Sequence, residues 1–261
     1  MATQTETSLG RVLNKVPEVT LYFWVIKIMA TTVGETAADY LIFNLHMGIT
    51  KTSIIMGVLL LGVLAIQLWL RRYVPAIYWI AVVFLSIFGT LITDNLSDNF
   101  GVALTTTTTL FSLALIATFA SWYASEKTLS IHSIFTTRRE LFYWTAILFT
   151  FALGTAAGDL VAEGLHLGYA TSALIFAGII AAITFAHYQF KLNAIWAFWM
   201  AYVLTRPFGA SCGDLLSQAK ANGGFGLGTV GTSSLFLVVI LALVSYLSIS
   251  KRDVITAGHQ T

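Results

Sequence analysis

Four aspartates recur at a fixed place within stretches that are otherwise apolar. Each lies fifteen residues after a tryptophan and five after a glycine, so the spacing W-x9-G-x4-D occurs four times without a gap. These aspartates are Asp39, Asp94, Asp159 and Asp214. A charged carboxylate at the centre of an apolar helix costs about 2.5–3.5 kcal/mol and usually has a function. The spacing therefore predicts four related carboxylate sites.

A second polar residue lies four positions from each aspartate, which places the two on one helix face. The pairs are Glu35 with Asp39, Asp94 with Asp98, Asp159 with Glu163, and Asp214 with Gln218. Only two basic residues, Lys27 and Arg206, lie in the same stretches as seven acids. This excess of carboxylate predicts that cations or protons neutralise the acids.

The donor set favours a divalent metal as the cation. Carboxylate and hydroxyl oxygens dominate, and sulfur is scarce, as hard or borderline ions prefer. We expect the metal to be cargo, with Mn²⁺ first, moved by a proton-coupled transporter without a tightly bound cofactor. The expected ligands are Asp39, Asp94, Asp159, Asp214, Glu35, Asp98 and Glu163. Further ligands or gating residues are expected at His46, His166, Arg206 and Gln218.

Three alternatives remain open on these residues. The cargo could be a small organic cation or metabolite, again with proton coupling. His46 and His166 occupy matching positions and could bind haem in a redox membrane protein. In a scaffold without transport, the acids would only hold helices together.

We expect no enzyme, because no nucleophile and base recur in a spacing that supports catalysis. Arg206 could neutralise Asp214 or form a gating ion pair.

The composition predicts the elements that carry these residues. The chain has 261 residues, of which 57% are hydrophobic and 10% charged, with a mean hydropathy of +0.81. Soluble domains contain about 25% charged residues. Several windows approach the roughly 20 apolar residues that cross a bilayer. We therefore expect an all-α polytopic membrane protein without a cleavable signal peptide. Its one cysteine, Cys212, excludes an intrachain disulfide.

Each repeat contains two apolar segments, so we expect eight transmembrane helices. The first segments are 18–42, 74–98, 139–163 and 193–216, and the second are 52–70, 103–122, 170–188 and 231–250. Two spans per repeat make the four repeats parallel, with a pseudo-symmetry axis along the membrane normal. We expect a first half at 1–123 (repeats 1 and 2), a connecting loop at 124–140 and a second half at 141–261.

The flanking residues predict orientation and packing. Ten basic residues, including Arg11, lie before the tryptophans or after the last span, and two lie in the links within repeats. This bias predicts cytoplasmic termini and a cytoplasmic loop at 124–140. We expect the four tryptophans to be interfacial anchors and the four glycines to be packing contacts. Thr-Ser pairs in the links are expected to cap the next helices.

The segment "KVPEVTLYFWVIKIMATTVGETAADYL" (15–41) and the repeated spacing resemble a bacterial family of integral membrane proteins. Its members contain four tandem two-span repeats of unknown function, of the DUF347 type. The resemblance covers almost the whole chain, and the fourth repeat departs from it through Arg206 and Gln218. It implies a multi-pass protein of the bacterial inner membrane. We expect a monomer or homodimer that contacts the lipid bilayer, a metal ion and protons, but no nucleic acid.

Overall fold

Eight long α-helices make up most of residues 14–254, the part of the chain that the computed structural model describes. They are α1 (Leu21–Asp39), α2 (Ile49–Trp69), α3 (Pro75–Asp94), α4 (Leu104–Glu126), α5 (Thr137–Asp159), α6 (Tyr169–Phe190), α7 (Ala194–Ser217) and α8 (Gly228–Ser250). No strand occurs in this range, which confirms the all-α prediction. Arg11 and both chain ends, on which the orientation prediction partly rests, lie outside it.

Six of the eight helices are long and apolar enough to cross a membrane. These are α2, α3, α4, α5, α6 and α8. Between residues 14 and 254, α1 and α7 do not meet the same criterion. They carry two buried basic residues, Lys27 and Arg206, together with Glu35. The expected eight spans therefore divide into six apolar helices and two more polar ones.

The first helices of the four repeats form a closed ring. Helix α1 packs against α3, α3 against α5, α5 against α7, and α7 returns to α1. Each second helix packs mainly on the ring helix of the following repeat rather than on its own: α2 on α3, α4 on α5 and α6 on α7. The last helix, α8, completes the cycle by packing on α1. The repeats are therefore interlocked in a cyclic order.

The four repeated glycines let the ring helices approach one another. A Cβ atom on any of them would overlap a residue of the next ring helix. That residue lies seven positions after the tryptophan of the same helix. The pairs are Gly34 with Ser86, Gly89 with Phe151, Gly154 with Arg206, and Gly209 with Thr31. The expected packing role of these glycines is confirmed, and the four equivalent contacts give the ring its pseudo-fourfold symmetry.

At one end of the ring, each repeated tryptophan packs against an aromatic residue of a neighbouring repeat. The aromatic residue before each tryptophan contacts the tryptophan of a neighbouring repeat. The centroid distances are 5.6 Å for Phe23–Trp79, 5.5 Å for Tyr78–Trp144, 6.2 Å for Tyr143–Trp199 and 5.6 Å for Phe198–Trp24. Trp79, Trp144 and Trp199 are at most 4% exposed. The expectation of interfacial anchors is wrong for these three, because their rings fill the space between helices. We call this end the tryptophan end.

The connection between α4 and α5 covers the tryptophan end. Its apolar residues Leu129, Ile131 and Ile134 are buried, and Trp199 Nε1 donates to the Leu129 carbonyl at 2.9 Å. The chain before α1 lies beside it, where Lys15 Nζ is 2.6 Å from Glu140 Oε2. The segment expected as a polar loop therefore has an apolar side that closes the bundle.

At the opposite end, which we call the aspartate end, three ring helices finish in π-helical turns. These turns are Tyr40–Asn44, Asn95–Asn99 and Leu160–Gly164, whereas α7 ends at Ser217 before a short 3-10 turn, Lys220–Asn222. The expected Thr-Ser caps are wrong. Gly48 and Gly168 occupy the N-cap positions of α2 and α6, and Thr52 Oγ1 instead donates back to the Gly48 carbonyl at 2.7 Å.

Candidate functional site

Residues four positions apart on each ring helix form four layers along the ring axis. Starting from the tryptophan end, twelve buried residues form three layers. They are the lysine layer (Lys27, Val82, Ile147, Tyr202), the arginine layer (Thr31, Ser86, Phe151, Arg206) and the glutamate layer (Glu35, Thr90, Thr155, Ala210). The fourth layer is the aspartate ring (Asp39, Asp94, Asp159, Asp214). Four residues of helix separate adjacent layers by about 6 Å.

Among the described residues, the aspartate ring has no ion-paired cation and no side chain that donates a hydrogen bond to it. Asp214 is buried, and the other three aspartates are half-buried. Within residues 14–254, none of the four carboxylates has a hydrogen bond or an ion pair with another side chain. The acids act on one another instead: Asp214 experiences the charges of Glu35, Asp159 and Asp39. Four neighbouring acids without an ion-paired cation in the described part of the chain make this ring a candidate for binding a cation or protons.

One turn deeper, Arg206 occupies the centre of the glutamate layer. Its Nη2 atom lies 2.9 Å from Glu35 Oε2 and 2.7 Å from Thr155 Oγ1, and it also contacts Thr90 Oγ1. Its Nη1 atom donates to the Thr31 carbonyl at 3.1 Å. Three repeats thus supply a side-chain oxygen from the same register position. The reading in which Arg206 neutralises Asp214 is wrong, because its carboxylate partner is Glu35.

Lys27 lies deeper still and has an unusual environment for an amine. Its side chain is fully buried, and within the described residues its Nζ atom has no hydrogen-bond partner. Nζ lies 4.4 Å from the centroid of the Phe151 ring and 4.3 Å from that of Tyr202. Below the aspartate ring, the axis therefore holds the guanidinium of Arg206 with the Glu35 carboxylate, and then the amine of Lys27. The guanidinium opposes the passage of a further cation in this conformation.

The remaining predicted site residues lie outside these layers. Asp98 and Glu163 are exposed in π-helical turns, where Asp98 accepts from Ser97 Oγ at 2.8 Å and Glu163 accepts from Tyr169 OH at 3.0 Å. His46 and His166 are exposed with positive φ angles of 53° and 57°. Gln218 is half-buried just after α7.

The acids do not converge into a metal cage. Across residues 14–254, no three His, Cys, Asp or Glu side chains are grouped closely enough to hold a metal ion. Metal ligation by the predicted residues therefore stays a prediction, and it requires the carboxylates to move closer together.

Part of the site consists of uncharged residues that the search for buried charges does not identify. Thr90 and Thr155 stand eleven residues after their tryptophans, as Glu35 does. That shared register could have identified the layer. Its fourth position holds Ala210, whose small side chain leaves room for Arg206 from the layer below.

Fold and site together define a helical repeat protein in which four two-helix units surround a polar axis. The family model described as Repeat of Unknown Function (DUF347) matches residues 22–73, 77–128, 142–192 and 197–253. The chain belongs to this family, as its resemblance predicted. Comparisons with curated proteins and with solved structures found no match.

Proposed function

We propose that all eight helices cross the bacterial inner membrane, with the tryptophan end in the cytoplasm. The outer helices support this arrangement, because the apolar windows of α2 and α6 are each only 17% buried inside the protein. Large apolar side chains such as Ile54, Leu61 and Leu174 are exposed on them and would face lipid. The more polar helices α1 and α7 would cross within the ring. The excess of basic residues at the tryptophan end supports the orientation.

We propose that the protein transports a cation, with protons as the coupling ion and the aspartate ring as the binding layer. The observation that carries this proposal is a ring of four carboxylates that have no hydrogen bond or ion pair with any side chain of residues 14–254. A bound cation would supply the missing charge, and protons would replace it when it leaves. The aromatic contacts at the tryptophan end, together with the lysine and arginine layers below the aspartate ring, favour a carrier that changes conformation over an open pore.

Mn²⁺ is our first choice of cargo, because carboxylates supply the hard oxygen ligands that divalent ions prefer. Loading a metal would draw the aspartates together. A small organic cation is the second candidate. It is favoured by the separation of the acids within residues 14–254, since a larger cation is neutralised without a tight cage.

Thermal unfolding of the purified protein tests this proposal against Mn²⁺, Mg²⁺, Zn²⁺, Ca²⁺, Na⁺ and small ammonium ions. A ligand present at 100 times its dissociation constant adds about 2.7 kcal/mol of stability. We expect Asp39→Asn to remove the stabilisation by the true cargo. Glu18→Gln, an exposed acid at the opposite end, is the matched control and should retain it. Equal stabilisation of both variants by the same ion would contradict the assignment. Uptake of the stabilising ion into liposomes that contain the wild-type protein measures transport itself.

A further inference from the structure

The fourth repeat differs from the others at two linked positions. In the glutamate layer it has Ala210, where the other repeats present Glu35, Thr90 and Thr155. In the arginine layer it has Arg206, where the others have neutral side chains. The guanidinium reaches across to the very oxygens that its own repeat lacks. The one repeat that contributes no side-chain oxygen to the glutamate layer therefore supplies that layer with a covalently attached cation, the guanidinium of Arg206.

The surroundings of Arg206 resemble a cation site more than a simple ion pair. One carboxylate, two threonine hydroxyls and the Thr31 carbonyl converge on its two terminal nitrogens, and all are buried. These are the oxygen types that bind hard cations as well as guanidinium groups. The layer lies one helical turn below the aspartate ring, so a cation held by the ring would meet it next.

We propose that Glu35, Thr90 and Thr155 form an inner cation site that Arg206 occupies as a tethered cation, and that the cargo displaces Arg206 on its way inward. This inference rests on the proposed transport function. In the exchange one cation leaves the layer as another enters, so Glu35 never stays buried without a counter-charge.

Two features of α7 favour the release of Arg206. Its Nε atom has no hydrogen-bond partner within the described residues, so all hydrogen bonds of the guanidinium there come from its terminal nitrogens. Pro207 follows directly, and proline removes the helix hydrogen bond to the carbonyl four residues earlier, that of Val203. Opposite this point, α5 presents Gly154 and Gly158, which offer no side chains against Arg206 and Pro207. The helix can therefore bend where the guanidinium is attached.

The first test measures the affinity for Mn²⁺. Because Arg206→Gln removes the competing cation and frees Glu35, we expect Mn²⁺ to bind at least tenfold more tightly than to the wild type. The double variant Glu35→Gln/Arg206→Gln should lose that gain, and Arg206→Lys should be intermediate because it keeps the charge without the fork of donors. Arg139→Gln, which breaks another arginine–glutamate pair at 2.7 Å, is the control and should leave the affinity unchanged.

The second test does not depend on the cargo. Arg206→Ala leaves a space of guanidinium size beside Glu35, so millimolar guanidinium should raise its melting temperature while urea, which is neutral and of similar shape, should not. Adding Glu35→Gln should abolish the effect. Equal effects of guanidinium and urea on Arg206→Ala overturn the inner site. If Mn²⁺ binds no variant while guanidinium acts specifically, the metal cargo fails and the inner site stands.

Discussion

Two buried lysines in this protein have opposite environments. Lys15 is 6% exposed, its Nζ atom lies 2.6 Å from Glu140 Oε2, and it also donates to the Leu68 carbonyl at 3.0 Å. Lys27 is fully buried, and its amine lies over two aromatic rings with no hydrogen-bond partner among the described residues. A buried charge is tolerated when a partner compensates its lost hydration, and cation–π contacts replace only part of that loss. Lys27 therefore reduces stability, as functional residues often do.

Replacing each lysine by methionine should change stability in opposite directions. Lys27→Met keeps the length of the side chain and removes an uncompensated amine, so we expect a gain of about 1–3 kcal/mol. Lys15→Met leaves Glu140 buried without its cation and should cost about 3–5 kcal/mol. Unfolding titrations in mixed detergent measure both changes. A loss of stability in Lys27→Met would show that the contacts of the amine with the aromatic rings of Phe151 and Tyr202 outweigh the cost of burying it.

The carboxyl group of Asp253 leads to a separate prediction, which concerns the pH dependence of stability. It lies after α8, where Tyr73 OH donates to its Oδ2 at 2.5 Å, and burial raises the pKa of the carboxyl above its usual 3.8. The folded state then binds the proton more tightly than the unfolded state, so this group's contribution to stability declines as pH rises from about 4 through the raised pKa. Asp253→Asn should reduce that decline in melting temperature. An equally steep decline in Asp253→Asn would contradict this assignment.

At the scale of elements, glycine decides how closely the ring helices pack. A Cβ on Gly89 would lie 2.6 Å from Phe151 Cβ and 3.2 Å from the Ala152 backbone nitrogen. Neither atom can rotate away, because one is fixed to the backbone and the other belongs to it. The contact therefore sets the distance between α3 and α5, and with it the positions of Asp94 and Asp159.

Gly89→Ala should consequently push two ring helices apart, with an expected loss of about 1–3 kcal/mol from overpacking. Gly178→Ala provides the matched control, since it lies within α6 with no atom within 4 Å of the added methyl group. We expect the control to melt at or slightly above the wild-type temperature. Comparable losses in both variants would contradict this interpretation, because alanine favours the helix over glycine and the added methyl group on Gly178 meets no neighbouring atom.

The helices themselves could be predicted because apolar runs and the repeated spacing mark them directly. The span predicted at 103–122, for example, corresponds to α4 at Leu104–Glu126. The roles of the tryptophans and of Thr52 could not be read in the same way. Spacing shows that Trp79 and Trp144 are equivalent, but it does not show that each packs on an aromatic residue of a neighbouring repeat. The π-helical turns likewise leave no distinct signal in their composition.

At the scale of the whole molecule, the site depends on which helices become neighbours. The four aspartates could be found from their register alone. The partner of Arg206 could not, because Glu35 lies 171 residues away and the two meet only through the packing of α7 against α1. The same cyclic order brings α8 onto α1, where Thr36 Oγ1 and Ser233 Oγ are 2.7 Å apart.

Cross-linking can test this closure between the first and last repeats. In a background that carries Cys212→Ser, Thr36→Cys with Ser233→Cys should form a disulfide under mild oxidation, since hydroxyl oxygens 2.7 Å apart place their Cβ atoms within bridging range. A protease site inserted after Phe225, in the link before α8, allows detection. After cleavage, only the disulfide should keep α8 joined to the rest of the chain on a denaturing gel.

Two further cysteine pairs make the result specific to the cyclic order. Ser172 Oγ and Ser211 Oγ lie 2.8 Å apart where α6 packs on α7, so Ser172→Cys with Ser211→Cys should form a disulfide as efficiently, detected with the protease site placed after Lys191. Thr36→Cys with Ser172→Cys joins α1 to an outer helix that covers a different ring helix and should not form one, as measured with the site placed after Phe135. Efficient linkage of that third pair would contradict the order, because α6 and α8 would then both have to cover α1. Selective linkage of the first two pairs would support a closed ring, the arrangement that sets Arg206 against Glu35.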